Sequence, residues 1–218
     1  MSQSKGKVRQ RTVRFEMLLT PEESKAWEAL AESAVPAVQR LPRITGRPPF
    51  TCKGARPGKP GLDRAEFGRQ LAGQQDGLNR LTVAEFLANR DQYLTLRQLT
   101  GDGRDPLGDA AQKVAREKAL RDKIEELLDS DEQLTRREAK AKAQQWLDTQ
   151  AALHDPDQVA GGHPHLISGL GDARVNSSIG AQWPKRIKGI DAQIRKYAVS
   201  MTPTEQASTY LDIALPMA

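Results

Sequence analysis

The sequence predicts a mainly all-α, multi-helix protein with one short strand near the N-terminus, and three observations carry that prediction. Charged residues make up 28% of the 218-residue chain and aromatics only 5%, a balance suited to helices with wide solvated faces rather than to a β-sandwich. Capping signatures of the form Thr/Asp-x-x-Glu recur along the chain. Apolar residues return at spacings of three and four, the period of a helix face.

Taken in order, residues 12–19 (T-V-R-F-E-M-L-L) alternate Val13, Phe15 and Met17 with Arg14 and Glu16, which predicts the strand. Thr20, Pro21 and Glu23 make a capping box that opens a helix to about Ala34. Residues 41–61 hold Pro42, Pro48, Pro49, Pro57, Pro60 and four glycines, and read as a linker. The linker divides a basic leader over 1–60 from a helical domain over 61–218. Asp63 with Glu66 starts the next helix, on which Phe67, Leu71 and Leu78 share a face, and Thr82 with Glu85 starts another through about Leu99. Residues 109–129 predict a highly charged helix with Leu120, Ile124, Leu127 and Leu128 on one stripe. Thr135 and Glu138 cap its partner, which runs towards Trp146 and Leu147, and the hairpin reads as solvated scaffold. Ile179, Trp183, Ile187, Ile190, Ile194 and Tyr197 form an apolar stripe on a helix opening near Pro184. A last helix after Pro203 is expected to dock Tyr210, Leu211 and Ile213, with Leu215 adding to the contact if the helix reaches it.

The formal charge is +5, but residues 1–60 hold 12 Lys+Arg against 5 Asp+Glu, so the basic excess sits in the first quarter. Such an arm attracts polyanions, nucleic acid first, or serves as a solubilising leader, and charge alone leaves both readings open. Cys52 is the only cysteine, which excludes an internal disulfide and a cysteine-rich zinc module and fits a reducing compartment. No run approaches the roughly 18 consecutive apolar residues of a membrane span. The polar, basic start M-S-Q-S-K-G-K is not a secretory signal, so any export is expected by another route.

All three histidines fall between 154 and 165, in a stretch that begins L-H-D-P-D-Q-V-A-G-G-H. A histidine with a carboxylate three residues on is equipped to move a proton or hold a metal. Asp155 before Pro156 suits an N-cap, which would place His154 just ahead of a helical turn and Asp157 within it, facing one pocket. Gly161, Gly162, Gly169 and Gly171 would allow close approach of a bulky ligand such as a phosphodiester. The chain has no G-x-S-x-G elbow, Walker loop, H-E-x-x-H or dinucleotide fingerprint. A zinc site from the histidines and Asp157 would need an unusual turn at His163-Pro164-His165.

The run H-D-P-D-Q-V-A-G-G, continuing through G-L-G-D-A-R-V-N-S-S-I-G-A-Q-W, resembles the novel toxin 15 family of polymorphic toxin domains, whose hallmark is a His-x-x-Asp motif. Upstream, D-R-A-E-F-G-R-Q-L-A-G-Q-Q-D-G-L-N-R-L-T-V-A-E-F-L-A-N-R resembles the same family's N-terminal part, and together the two cover roughly Leu62 to Tyr197. The resemblance implies an all-helical nuclease toxin that acts on DNA, with a small immunity protein guarding the producer. It also implies synthesis in a bacterial cytoplasm and secretion without a classical signal peptide, through a contact-dependent apparatus such as type VI secretion or its adaptor. The toxin would then act in the cytoplasm of a competing cell. The motif falls on His154 and Asp157, whereas His163 and His165 lie outside it and residues 1–60 lie outside the likeness.

Phosphodiester hydrolysis needs an activated water, neutralised phosphate oxygens and a protonated leaving oxygen, work suited to a divalent ion, Mg²⁺ first, beside a general base. His154 is the expected base and Asp157 the metal ligand or the group that orients the imidazole. Glu66 is the candidate second carboxylate and metal ligand, with a capping role beside Asp63 as the alternative. Arg69, Gln70 and Gln74 share its helix and are candidate substrate contacts. Asn176 and Gln182 are candidates to close the pocket, each with the alternative of a satisfied buried amide. Lys185 and Arg186 are candidate phosphate contacts on a helix whose polar face is otherwise a solvated back. Asp172 reads as a turn former and Trp183 as core. Two rival readings remain: an RNase of the same chemistry, and a non-enzymatic helical nucleic-acid-binding protein in which H-D-P-D merely stops a helix.

Overall fold

Threonine and aspartate caps set the starts of six helices in a computed structural model that describes residues 38–218, together with Thr20 and Lys25. The strand expected over 12–19 lies outside the described residues, as does the helix expected over 20–34 apart from those two positions. The chain divides into two units, Met1–Ala37 and Val38–Ala218, and the second carries every element that follows.

Among the described residues there are seven α-helices and four short strands: β1 (Ile44–Thr45), α1 (Arg64–Leu78), α2 (Val83–Thr100), α3 (Pro106–Ser130), α4 (Arg136–Asp148), β2 (Gln150–Leu153), β3 (Gly169–Asp172), α5 (Ala173–Gly180), α6 (Pro184–Ala198), α7 (Pro203–Ser208) and β4 (Ile213–Ala214). The protein is mainly all-α, as the sequence predicts. Thr82, Thr135 and Thr202 form full capping boxes with Glu85, Glu138 and Glu205 at α2, α4 and α7. Asp105 caps α3 ahead of Pro106. Each such cap is worth about 1 kcal/mol.

The core forms where the apolar faces of α1, α2, α5 and α6 meet. Phe67, Leu71 and Leu78 of α1 are buried with Phe86 of α2, Val175 and Ile179 of α5, and Ile187, Ile190 and Ile194 of α6. Trp183, between α5 and α6, is fully buried and meets Phe50 edge-on with ring centroids 5.2 Å apart. The stripe from Ile179 to Tyr197 is thus shared by two helices, broken ahead of Pro184. α3 and α4 pack on one another as a hairpin, with Ala139, Ala143 and Leu147 buried on α4 and the leucine stripe of α3 half-buried.

The extended segments differ from expectation. Residues 41–61, expected to link, belong to the same unit as the helices and send Leu41, Ile44 and Phe50 into its core. β1 pairs in parallel with β4, Ile44 opposite Ile213, and flanking bridges join Arg40 to Tyr210 and Phe50 to Met217. Proline lacks an N–H and suits such an edge, and Pro42 and Pro48 are exposed there. Burial of each large apolar side chain stabilises by roughly 1.5–3 kcal/mol, which favours docking of this stretch over its release as a linker. The last helix stops at Ser208, so Leu211, Ile213 and Leu215 reach the core from extended chain rather than from a helix. A second pair, β2 with β3, runs antiparallel from Gln150 opposite Asp172 to Leu153 opposite Gly169. Q-A-A-L carries no strand signal of its own. β3 lies directly against α1, because a Cβ on Gly171 would stand 2.6 Å from Gln70 Nε2 and 2.8 Å from Glu66 Oε1.

Candidate functional site

β2 and β3 hold the two ends of the 154–168 loop, and Gln74 of α1 fixes its first residues. Gln74 is 3% exposed, and its Nε2 donates to the His154 carbonyl and to Asp155 Oδ1, each at 2.7 Å. Its Oε1 accepts from the Asp157 N–H at 2.8 Å and from Trp183 Nε1 at 3.2 Å. Both donors and both lone pairs of the amide are therefore used. Glycines permit the close approach: a Cβ on Gly77 would lie 2.3 Å from the Asp155 carbonyl carbon, and one on Gly162 only 1.7 Å from the Pro156 carbonyl oxygen.

The two aspartates of the stretch are separated by this packing. The Asp155–Pro156 peptide is cis, and Asp155 turns to Gln74 and to the Ser168 hydroxyl. The N-cap expected of Asp155 falls instead to Asp157, whose Oδ1 accepts from the Val159 N–H at 3.2 Å to open a 3₁₀ turn, Gln158–Ala160. Asp157 Oδ2 is directed towards Gly180, where a Cβ would stand 3.6 Å away.

His154, Asp157 and Gly180 line a cavity of about 600 Å³, together with Asn176 and Ser177 of α5, Gln112 and Arg116 of α3, and Arg104. His154 Nε2 lies 3.1 Å from the Gln112 side-chain nitrogen. With that amide assigned as donor, Nε2 carries the lone pair and Nδ1 the proton. Nδ1 is buried without a hydrogen-bond partner. Burial pushes the imidazole below its usual pKa of 6.5, and Arg104 adds to the lowering, while the Asp157 charge and the backbone at Leu166 and His163 pull the other way. The net lowering favours the neutral ring, the state a general base requires.

Other expected site residues lie elsewhere. Glu66 does not line this cavity: Arg69 grips both its oxygens at 2.6 and 2.7 Å, Gln70 Nε2 donates at 2.7 Å and the Asp172 N–H at 3.2 Å. The Arg69 bond leads in holding its pKa down from 4.5 to about 2. Glu66 therefore ties α1 to β3, and only half of the expected capping box forms, Asp63 accepting from the Glu66 N–H. Gln70 is buried in the same tie. Gln182 bonds both backbone groups of Thr51. Arg186 is 3% exposed, stacks 4.2 Å over the Phe50 ring and donates to the Pro49 and Gln182 carbonyls. Lys185 is exposed beside a different groove, between α2 and α6. Asp172 caps α5 through the Arg174 and Val175 N–H groups.

Sequence reasoning missed Arg104, Gln112 and Arg116. α3 reads as scaffold because its charges alternate in sign, yet Gln112 and Arg116 sit one turn apart on one face, a spacing that marks a shared neighbour. Arg116 donates to the Gln150 carbonyl at 2.5 Å and the Leu147 carbonyl at 3.3 Å, which anchors β2 to α3. Among the described residues, no group of three or more His, Cys, Asp or Glu side chains is placed to share one metal ion. His163 contacts Asn89 and lies 5.7 Å from the His165 ring.

The novel toxin 15 profile matches residues 62–215, more than half of the chain. The chain belongs to the novel toxin 15 family. A novel toxin 15 match spanning α1 to β4 takes in Gln74, the 154–168 loop and α3 alike, so the cavity is assembled wholly within the matched region. A search of curated proteins finds no match. No helix among the described residues is long and apolar enough to cross a membrane.

Proposed function

We propose that this toxin hydrolyses phosphodiester bonds of DNA with His154 as general base. The supporting observation is a half-buried imidazole, its neutral form favoured by burial, that lines a polar cavity together with Asp157. In the reaction, the Gln112 amide yields its bond to Nε2, which takes a proton from water as the water oxygen attacks phosphorus; the bond to the leaving oxygen breaks, and that oxygen is protonated from solvent. Arg104 offsets charge on the non-bridging oxygens, and Asp157 stabilises the imidazolium that forms. Positioned base catalysis of this kind contributes roughly 10²–10⁴-fold.

The cavity's oxygen donors fit a magnesium ion held by one carboxylate, with water and substrate completing its shell. Asp157 Oδ2 is the residue atom that would hold it. Glu66 as a second ligand would first have to leave Arg69. When bound, such an ion would neutralise phosphate charge and acidify a water. Membership of a toxin family supports a cognate immunity protein as partner; synthesis in a bacterial cytoplasm and delivery into a competing cell by a type VI apparatus or its adaptor complete the proposal.

The test is incubation of the purified protein with plasmid DNA and, separately, structured RNA, with magnesium or chelator. Magnesium-dependent loss of plasmid supports the reading, and RNA loss alone changes the substrate. Intact DNA and RNA in the presence of tight, salt-sensitive binding would refute hydrolysis in favour of simple nucleic-acid binding.

A further inference from the structure

The stretch expected to be a linker, residues 41–61, carries five Lys and Arg residues and no acid, and three of these cations surround a second cleft. This cleft, of about 600 Å³, is lined by Lys53, Arg56, Lys59 and Arg174 with Ser177 and Ser178, and among the described residues no Asp or Glu lines it. Ser177 and Ala181 line both this cleft and the His154 cavity, so the two are continuous across α5.

Three features point to an anionic occupant. First, the Ser178 hydroxyl is buried without a hydrogen-bond partner at a residue only 8% exposed on the cleft wall, and a buried hydroxyl normally has one. Second, Arg56 and Lys59 are held directly opposite one another in an antiparallel bridge, their backbone bonds at 3.0 and 2.9 Å. Like charges in that register repel, and neither has an ion-pair partner among the described residues. Third, Arg174 donates to the Pro60 and Gly61 carbonyls and so fixes the segment against α5.

We infer that this cleft is a track for the phosphates of a nucleic-acid strand whose reacting bond lies in the His154 cavity, an assignment that rests on the hydrolytic reading above. A single small phosphodiester would leave Lys53, Arg56 and Lys59 in the adjoining cleft without a function. A strand uses them in succession, with the Ser178 hydroxyl donating to a phosphate oxygen.

The test separates binding from cleavage. His154→Ala protein is titrated against labelled single-stranded DNA and RNA by fluorescence anisotropy between about 50 and 200 mM salt. Each phosphate contact to a single strand contributes about 0.7 to the slope of log K against log salt, so adding Arg56→Gln/Lys59→Gln should lower the slope by about 1.4. The charge-retaining pair Arg56→Lys/Lys59→Arg should restore it, which rules out misfolding as the cause. Loss of slope with DNA, RNA or both supports the track and names its source. An unchanged slope, or loss only with the control pair Lys185→Gln/Lys188→Gln in the α2–α6 groove, overturns it. Failure of both nucleic acids to bind while an acidic polypeptide binds also overturns it. Wild-type cleavage is measured in parallel: cleavage with an unchanged slope overturns the track alone, whereas the expected slope loss without any cleavage overturns the hydrolytic reading and leaves the phosphate cleft standing.

Discussion

Replacing Gln74 with methionine keeps an unbranched side chain of similar length but removes its three hydrogen bonds to the His-x-x-Asp loop and the one to Trp183. The Asp157 N–H, the Trp183 Nε1 and the His154 carbonyl each lose this partner, whereas Asp155 keeps the Ser168 hydroxyl through its other oxygen. An orphaned buried polar group costs about 1–3 kcal/mol, so three bound the loss at roughly 3–9 kcal/mol. Relaxation of the loop and admission of water bring the expected value to about 3–5 kcal/mol, a large share of the 5–15 kcal/mol typical of a domain. Urea unfolding followed by circular dichroism is the assay, and with a slope of about 2 kcal/mol per molar the midpoint falls by about 2 M. Activity per folded molecule should fall mainly in kcat, because His154 and Asp157 lose their relative placement while the cavity walls remain. A loss of stability under about 0.5 kcal/mol would refute Gln74 as the fixing point of the loop.

Three further outcomes follow from the same geometry. Glu66→Gln should lose about 1–2 kcal/mol after discounting for solvent screening, with activity per folded molecule retained. Because the Glu66 pKa is depressed, that stability is present above pH 4.5 and lost as pH falls towards about 2, so the wild-type advantage should vanish in acid; a loss of activity at unchanged stability would make Glu66 catalytic instead. The acid limb of kcat/KM should lie below 6.5 and move lower still in Asp157→Asn, since the lost charge favours the protonated ring; a limb that stays or rises would show that Asp157 does not act on His154 electrostatically. Gly162→Ala should cost at least about 2 kcal/mol or displace the loop, because its Cβ would strike the Pro156 carbonyl, and unaltered thermal unfolding would contradict that packing.

What the sequence made legible was mostly local. The capping boxes at Thr82 and Thr135 and the apolar stripe of α6 depend on neighbours within a few turns, and they form where expected. The pairing of Ile44 with Ile213, and of Gln150 with Asp172, depends on chain brought together from a distance, and no pattern inside either segment specifies it. The site divides in the same way. His154 and Asp157 are three residues apart and stand out in sequence, and they line one cavity. Arg104, Gln112 and Arg116 reach that cavity only because the α3–α4 hairpin docks beside β2, which charge patterning does not reveal. Arg186 and Glu66 admit both a ligand role and a bland one in sequence, and in the structure burial on Phe50 and pairing with Arg69 occupy them.

The central claim is that His154 takes the proton from water, and chemical rescue tests it most directly. Plasmid cleavage by His154→Ala should fall roughly 10²–10⁴-fold. Added imidazole, which the cavity of about 600 Å³ has room to admit, should restore part of the rate in proportion to its unprotonated fraction. Near-normal cleavage by His154→Ala without imidazole would contradict the account.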